Sequence, residues 1–359
     1  MNERGMPAPF RPLVHLSTQA SHRGGERQVA LLHRGLRERG WPSHLLCRAP
    51  SVFADTTDTT AVAWHGTMDP FGFAGFGRHC RRLQPALLHC HDANAFTVGS
   101  FLGSLLRVPV VTTRRVLAPI RPHLLNRWKY QHAAALIAIS SAVETALRQV
   151  APATRIFCVP SGVSGEPATD DMRFEARRSL AIDDRTVVIG CVGYFTPEKQ
   201  PALLLDLATH LAQVRRNVVV MIVGPLDPDL ERSARHMSNV IATGAVANAL
   251  DYYPAFDLYV STSTSEGLGS ALLDAVVRDI PAFAVDSGGA RDIFGSLPRL
   301  AASGDRYDFF RMIERALDAR ETLIEESRNL GAQARQRFHV DAMVAGNMRV
   351  YGTLLGLET

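Results

Sequence analysis

Residues 263–270 read Ser-Thr-Ser-Glu-Gly-Leu-Gly-Ser, directly after the apolar run Leu258 to Ser261. Gly267 and Gly269 allow backbone geometries that a Cβ forbids. A helix is expected over Gly269 to Val277, so its free N–H groups and positive end face the loop. The amides of Gly267, Leu268, Gly269 and Ser270 then make a cradle suited to a diphosphate. If Glu266 caps that helix, Asp274 lies about two turns inside on nearly the same face. Two carboxylates would border one pocket, and carboxylates accept hydrogen bonds from sugar and ribose hydroxyls. The plainer alternative is a capped surface helix with Asp274 in solvent.

Four other segments carry suitable groups. Gly193-Tyr-Phe-Thr-Pro-Glu-Lys199 follows the apolar run Val187 to Val192, and Lys129 is the chain's only other lysine. A flexible ammonium after a strand suits a leaving diphosphate, although an exposed loop lysine looks the same in sequence. His89-Cys-His91-Asp92-Ala-Asn94 closes another strand, at the end that faces ligands in α/β sheets. A His-x-His pair can hold a metal, but no third ligand has suitable spacing, so no metal is expected. Ser21-His-Arg-Gly24-Gly25-Glu26 precedes a helix and suggests an anion cradle. Thr112-Thr-Arg114-Arg115-Val116, with Arg127-Trp-Lys-Tyr130 beyond it, offers cations to an acceptor anion or a donor phosphate. Surface charge is the alternative there.

These groups need a scaffold, and the hydrophobic pattern describes one. Leu13 to Ser17 is a strand, Arg27 to Arg39 an amphipathic helix with Val29, Leu32 and Leu36 at helical spacing, and Ser43 to Cys47 a second strand. Strands are expected at Leu87 to Cys90, Val108 to Thr112, Leu136 to Ile139 and Ile156 to Val159. Helices over Asn94 to Leu106 and Ser141 to Val150 separate them. Ser161 to Asp171 is rich in Ser, Gly, Pro and Asp and reads as a linker. A second series follows, with strands at 187–192, 218–223, 240–243, 258–261 and 282–285. Helices are expected over Pro201 to Arg215, Tyr307 to Ala319, Leu323 to Gln336 and Asp341 to Leu355. Alternation of strand and helix implies two parallel α/β domains, residues 1–162 with the return of 341–359, and residues 163–340. Tandem domains of this kind imply a cleft between them.

Composition narrows the class. The chain has 359 residues, 46% hydrophobic and 21% charged, and no apolar run approaches the roughly 18 residues of a membrane span. Residues 1–12 lack the apolar core of a secretory signal. Five scattered cysteines without C-x-x-C spacing argue against disulfides or structural zinc and for a reducing cytoplasm. The net charge of +4 hides an asymmetry: residues 1–150 hold 18 basic and 8 acidic side chains. A basic half suggests an anionic partner or an acidic membrane surface; the alternative is solubility plus an arginine-rich codon bias. Nothing points to nucleic acid.

Together, Glu266-Gly267-Leu268-Gly269, Ala271-Leu-Leu-Asp274-Ala275, Pro281 and Gly288-Gly-Ala-Arg-Asp292 resemble the donor-site signature of glycosyltransferase family 4. The resemblance covers about residues 13–355. It implies the GT-B fold: two Rossmann-like domains facing each other across a cleft, with the last helix returning to the first domain. It implies a retaining, metal-independent transfer from a nucleotide-diphosphate sugar, UDP- or GDP-linked, with no cofactor. Glu266 then contacts the donor sugar and Asp274, shorter than the family's Glu, the ribose. Lys199 matches the family's phosphate lysine, whereas Tyr194 stands where the family has Arg. Gly193, Gly24 and Gly25 fall at phosphate loops, and His91 approaches the sugar with Asp92 or Asn94 orienting neighbours. Arg114 and Arg115 could replace the missing arginine. The acceptor is expected to be a glycan or anionic glycolipid of envelope polysaccharide or lipopolysaccharide synthesis, reached at the inner face of the cytoplasmic membrane. A non-catalytic nucleotide-sugar-binding subunit and a GT-B-fold epimerase are the alternatives.

Overall fold

The computed structural model describes residues 11–19, 24–51, 53, 56–66, 69–215 and 217–357. The chain divides into two compact units, residues 1–162 with 340–359 and residues 163–339. The strands of unit 1 are β1 (Leu13–Ser17), β2 (Ser43–Ala49), β3 (Thr59–Ala63), β4 (Leu87–Cys90), β5 (Val110–Arg114), β6 (Ala135–Ala138) and β7 (Ile156–Cys158). They pair in the order β3-β2-β1-β4-β5-β6-β7, and every pairing is parallel. β1, β4 and β6 are buried along their whole length, as strands covered on both faces must be. The connecting helices are α1 (Gly24–Glu38), α2 (Pro70–Leu83), α3 (Ala93–Leu106), α4 (Leu124–His132) and α5 (Ser141–Val150). Val29, Leu32 and Leu36 of α1 are buried, the stripe their spacing predicts. Strand order reverses between β1 and β4, so the loops leaving these two strands diverge and open a crevice at their C-terminal ends.

β5 begins two residues later than its composition suggests. Arg107 closes α3 in the left-handed region, and Pro109 has no N–H to give the ladder. Arg114 is therefore the last strand residue rather than a loop residue.

Unit 2 repeats the scheme with β8 (Val187–Val192), β9 (Val218–Val223), β10 (Val240–Gly244), β11 (Leu258–Ser261), β12 (Ala282–Val285) and β13 (Leu300–Ala301). Their order is β10-β9-β8-β11-β12-β13, all parallel, with the reversal between β8 and β11. Helices α6 (Asp170–Ser179), α7 (Pro201–Val214), α8 (Pro228–Arg235), α9 (Ser270–Val276), α10 (Ala290–Phe294), α11 (Arg306–Asp318) and α12 (Arg320–Arg337) link and cover them. Asp257, just before β11, is a buried polar hub. It accepts from Arg173 at 2.7 Å, Arg177 at 2.7 Å, Arg320 at 2.8 Å and the Val188 amide at 2.8 Å. Three guanidiniums thus offset one carboxylate and tie α6 and α12 to the sheet. The last helix, α13 (Val340–Leu355), belongs to unit 1. It lies so close to α1 that a Cβ on Gly35 would stand 2.6 Å from Val344 Cγ2.

Candidate functional site

In unit 2 the loops after β8, β11 and β12 converge at the reversal point, and backbone bonds stitch them together. Thr264 N–H donates to Glu198 O at 2.9 Å, and Thr262 Oγ1 donates to Lys199 O at 2.6 Å. Glu266 N–H donates to Ser287 O at 3.1 Å, and Gly289 N–H returns to Glu266 O at 3.2 Å. A Cβ on Gly289 would meet Gly267 O at 2.3 Å and Leu268 Cα at 2.6 Å, so only glycine fits there. Arg291 Nε donates to Asp286 Oδ2 at 2.9 Å, and the Gly288 amide to Asp286 Oδ1 at 3.2 Å. The Arg291 hydrogen bond, above all, holds the Asp286 carboxyl below its usual range. Gly193 is open: nothing lies within 4 Å of a Cβ built on it.

This framework presents Lys199 and Glu266 to each other as an ion pair, half-buried on both sides. They line a depression of about 280 Å³ with Val192, Ser261, Thr262, Ser263 and Gly269. Tyr259 and Cys191 form its floor, and burial pushes the Cys191 thiol up to about 12, so it stays protonated. Glu266 does not cap α9. Gly269 is the N-cap, in the left-handed region at φ 91°, and no side chain caps the helix. Because α9 is a seven-residue helix, its dipole is small and individual amides, Ser270 included, matter more. Asp274 is not part of the depression's wall. It is buried with Oδ1 3.6 Å from Arg278 Nη1, while Arg278 also donates to Asp274 O at 2.8 Å and lies over Tyr253. The expected pair of carboxylates is thus one carboxylate, Glu266, and one ammonium.

In unit 1 the reversal between β1 and β4 is bridged by Asp92. It caps α3 by accepting from the Asn94 and Ala95 amides. It also accepts from the Thr18 amide at 2.7 Å and Thr18 Oγ1 at 2.6 Å, across the crevice from β1. Asn94 sits in the first turn of α3. Beside this bridge lie three buried histidines. His15 Nδ1 and His91 Nε2 share a hydrogen bond of 2.9 Å, with their rings stacked at 5.2 Å. His89 bonds Tyr351 Oη at 2.6 Å and Thr113 Oγ1 at 2.7 Å. Burial, the largest cause, drives all three imidazoles well below their usual value, and the nearby Arg115 charge adds to it. They are neutral at neutral pH.

His15 supplies the third nitrogen that the local spacing lacked: the ligand atoms of His15, His89 and His91 lie within 4.8 Å of one another. Two features disfavour a cation. Both nitrogens of His89 are engaged, and a guanidinium sits close enough to depress every ring. His15 and Thr18 escaped notice in the sequence. The available signal was a histidine inside the otherwise apolar strand Leu-Val-His-Leu-Ser.

The glycines Gly24 and Gly25 form the first turn of α1, not a loop before it; Ser21, His22 and Arg23 lie outside the described residues. Arg114 and Arg115 have separate fates. Arg114 is spent on the scaffold, donating through Nη1 to Tyr130 Oη at 3.1 Å and through Nη2 to Ala118 O. Arg115 Nε and Nη1 are buried without a partner.

The family model described as Glycosyl transferases group 1 matches residues 172–337, and that described as Glycosyltransferase Family 4 matches residues 22–166. A D-inositol 3-phosphate glycosyltransferase of Gordonia bronchialis is 30% identical over 216 residues, 54% of this chain and 47% of its own. The lipopolysaccharide core biosynthesis mannosyltransferase LpsB of Rhizobium meliloti is 25% identical over 195 residues, 50% of this chain and 56% of its own. The chain spans about half the length of the curated relatives it matches. Among solved structures, HepE of Anabaena in complex with UDP superposes with a TM-score of 0.81 at 19% identity, covering 96% of this chain and 100% of that one. The donor-type signature, the two parallel sheets and both family matches agree: the chain belongs to glycosyltransferase family 4 and is built from the two Rossmann-like domains of the GT-B fold.

Proposed function

We propose that this chain is a retaining glycosyltransferase that moves a sugar from a UDP- or GDP-sugar to a hydroxyl of a glycan or glycolipid. The observation that carries the reading is the Lys199–Glu266 pair at the reversal point of the unit 2 sheet, where ligands of open α/β sheets bind. Breaking the bond between sugar and phosphate leaves negative charge on the diphosphate and positive charge on the ring. Lys199 and the amides near Gly193 and of Gly267 to Ser270 offset the first. Glu266 accepts hydrogen bonds from sugar hydroxyls. In a front-face retaining route the departing phosphate takes the acceptor proton, so no side-chain base is needed. His91 positions rather than deprotonates, in keeping with its neutral, hydrogen-bonded ring. Lys199 supplies the charge that a metal would, so the reaction needs no bound metal and no cofactor. UDP in the HepE structure and the lipopolysaccharide role in LpsB's name support a nucleotide-sugar donor and an envelope acceptor. Lys199→Ala and Glu266→Ala should each lower transfer from the donor by roughly hundredfold or more while the fold survives. Wild-type turnover in both variants would sink the assignment.

The acceptor side of the proposal places the protein at the inner face of the cytoplasmic membrane. No helix among the described residues is long and apolar enough to cross a bilayer. What supports a peripheral contact is an apolar strip on α3 and α4. Leu124 is 84% exposed and Leu105 61%, Phe101 and Trp128 rings meet at 5.2 Å, and Arg107, Arg121 and Arg127 are near in sequence. Aromatic and aliphatic groups flanked by arginine suit an anionic interface. Co-sedimentation with vesicles containing anionic lipid should fall in Leu124→Glu; equal sedimentation with neutral vesicles at low salt would argue against the contact.

A further inference from the structure

Arg115 stands apart from the other buried arginines. Arg114 and Arg177 each leave Nε without a partner but spend both terminal nitrogens on hydrogen bonds. Among the described residues only Arg115 leaves two buried guanidinium nitrogens, Nε and Nη1, without one. An unpaired buried cation costs several kcal/mol, so its retention calls for a reason. Glu26, buried on the first turns of α1, acts on its charge without capturing those two nitrogens. Burial brings the guanidinium down to about 10, still charged at neutral pH.

Arg115 lines a small pocket whose other polar groups are Thr113, Ser161 and Asn347 and whose remaining wall is apolar. On its other side the Gly25 backbone comes close, where an added Cβ would stand 3.7 Å from Arg115 Cδ. Within range of its charge, His15 Nε2 and His91 Nδ1 are also buried and unpartnered. The shared His15–His91 bond requires one donor and one acceptor. In the tautomer where His15 donates, His91 Nδ1 carries the outward hydrogen; in the other, His15 Nε2 does. Either way the pair keeps one imidazole N–H within range of the Arg115 charge, and hydrogen-bond donors around a fixed cation suit an oxyanion rather than a metal ion.

We infer that Arg115 holds a phosphate group of a substrate in unit 1, with the His15–His91 pair as a neutral co-donor. This rests on the proposed transfer reaction for the identity of the substrate, which is a phosphorylated acceptor. Phosphate bound there fixes the acceptor's register.

The test uses the whole chain. Wild type and Arg115→Gln are titrated at constant ionic strength with inorganic phosphate, read by intrinsic fluorescence because all three tryptophans (Trp41, Trp64 and Trp128) lie in unit 1, and separately with UDP and GDP, read by isothermal titration calorimetry. Urea midpoints of both proteins check folding, and the phosphate-induced shift of each is read against its own chloride control, which cancels any loss of intrinsic stability. Saturable phosphate binding that weakens at least tenfold in Arg115→Gln, with nucleotide affinity unchanged, supports the site and assigns it to the acceptor. A tenfold loss for both phosphate and nucleotide overturns the assignment to an acceptor. Absence of saturable phosphate binding in wild type, or equal binding in the variant, overturns it. Phosphate binding without UDP or GDP binding keeps the oxyanion site and overturns the nucleotide-sugar reading instead.

Discussion

Acid should unfold unit 1 through its histidines, and the size of the effect follows from their burial. His15 and His89 are fully buried and His91 nearly so, and each is held neutral with its folded-state value well below the ordinary one. A group whose folded value is depressed binds more protons when unfolded. Stability is therefore complete above the unfolded value of about 6.5 and is lost as pH falls below it. Between about pH 7.5 and about pH 5.5, each such imidazole removes on the order of 1 kcal/mol, or a few kcal/mol for the three together. That is a large share of a typical domain stability of about 5–15 kcal/mol. Urea unfolding followed by tryptophan fluorescence isolates unit 1, which matters because a two-unit chain need not unfold in one step. His89→Gln should be less stable at the higher pH, since Tyr351 and Thr113 lose an optimal partner. It should nonetheless lose on the order of 1 kcal/mol less than wild type across the same window. Identical pH dependence in the two proteins would refute the claim that His89 is held neutral by burial.

Unit 2 should depend on Asp257. Asp257→Ala strands three arginines and the Val188 amide, at a cost of about 3–5 kcal/mol. Far-UV circular dichroism reads it, because unit 2 contains no tryptophan; a loss below about 1 kcal/mol would show that the hub is solvated. Gly289→Ala drives a Cβ into Gly267 O and Leu268 Cα. The loop must shift, costing about 1–3 kcal/mol and weakening UDP or GDP binding more than stability alone explains; unchanged nucleotide affinity would separate the loop from the donor. Arg114→Gln should reduce stability by about 1–3 kcal/mol without changing phosphate affinity, since its terminal nitrogens serve the scaffold. A selective loss of phosphate binding in that variant would reverse the roles given to the two arginines.

The local record in the chain is strong where one face or both faces of an element are buried. The runs 13–17, 187–192 and 258–261 read directly as strands, and Val29, Leu32 and Leu36 as a helix stripe, because burial imposes a period. The position of Glu266, Gly267 and Gly269 in a loop beyond a strand end was also legible, since the apolar run before it stops at Ser261. Short elements such as β3, β13, α8 and α10 were not, because they are too brief or too exposed to show one. Contacts between distant residues were beyond any local pattern. Spacing suggested that Glu266 and Asp274 share a pocket, yet Glu266 turns to Lys199, 67 positions away, and Asp274 lies beside Arg278. Likewise His91 looked like half of a pair with His89, whereas its hydrogen-bond partner is His15, 76 positions away. The adjacent arginines Arg114 and Arg115 are alike in sequence and differ only in what surrounds them. Periodicity records which face is buried; which buried groups meet is decided by strand order, and parallel strand order joins segments that the chain keeps far apart.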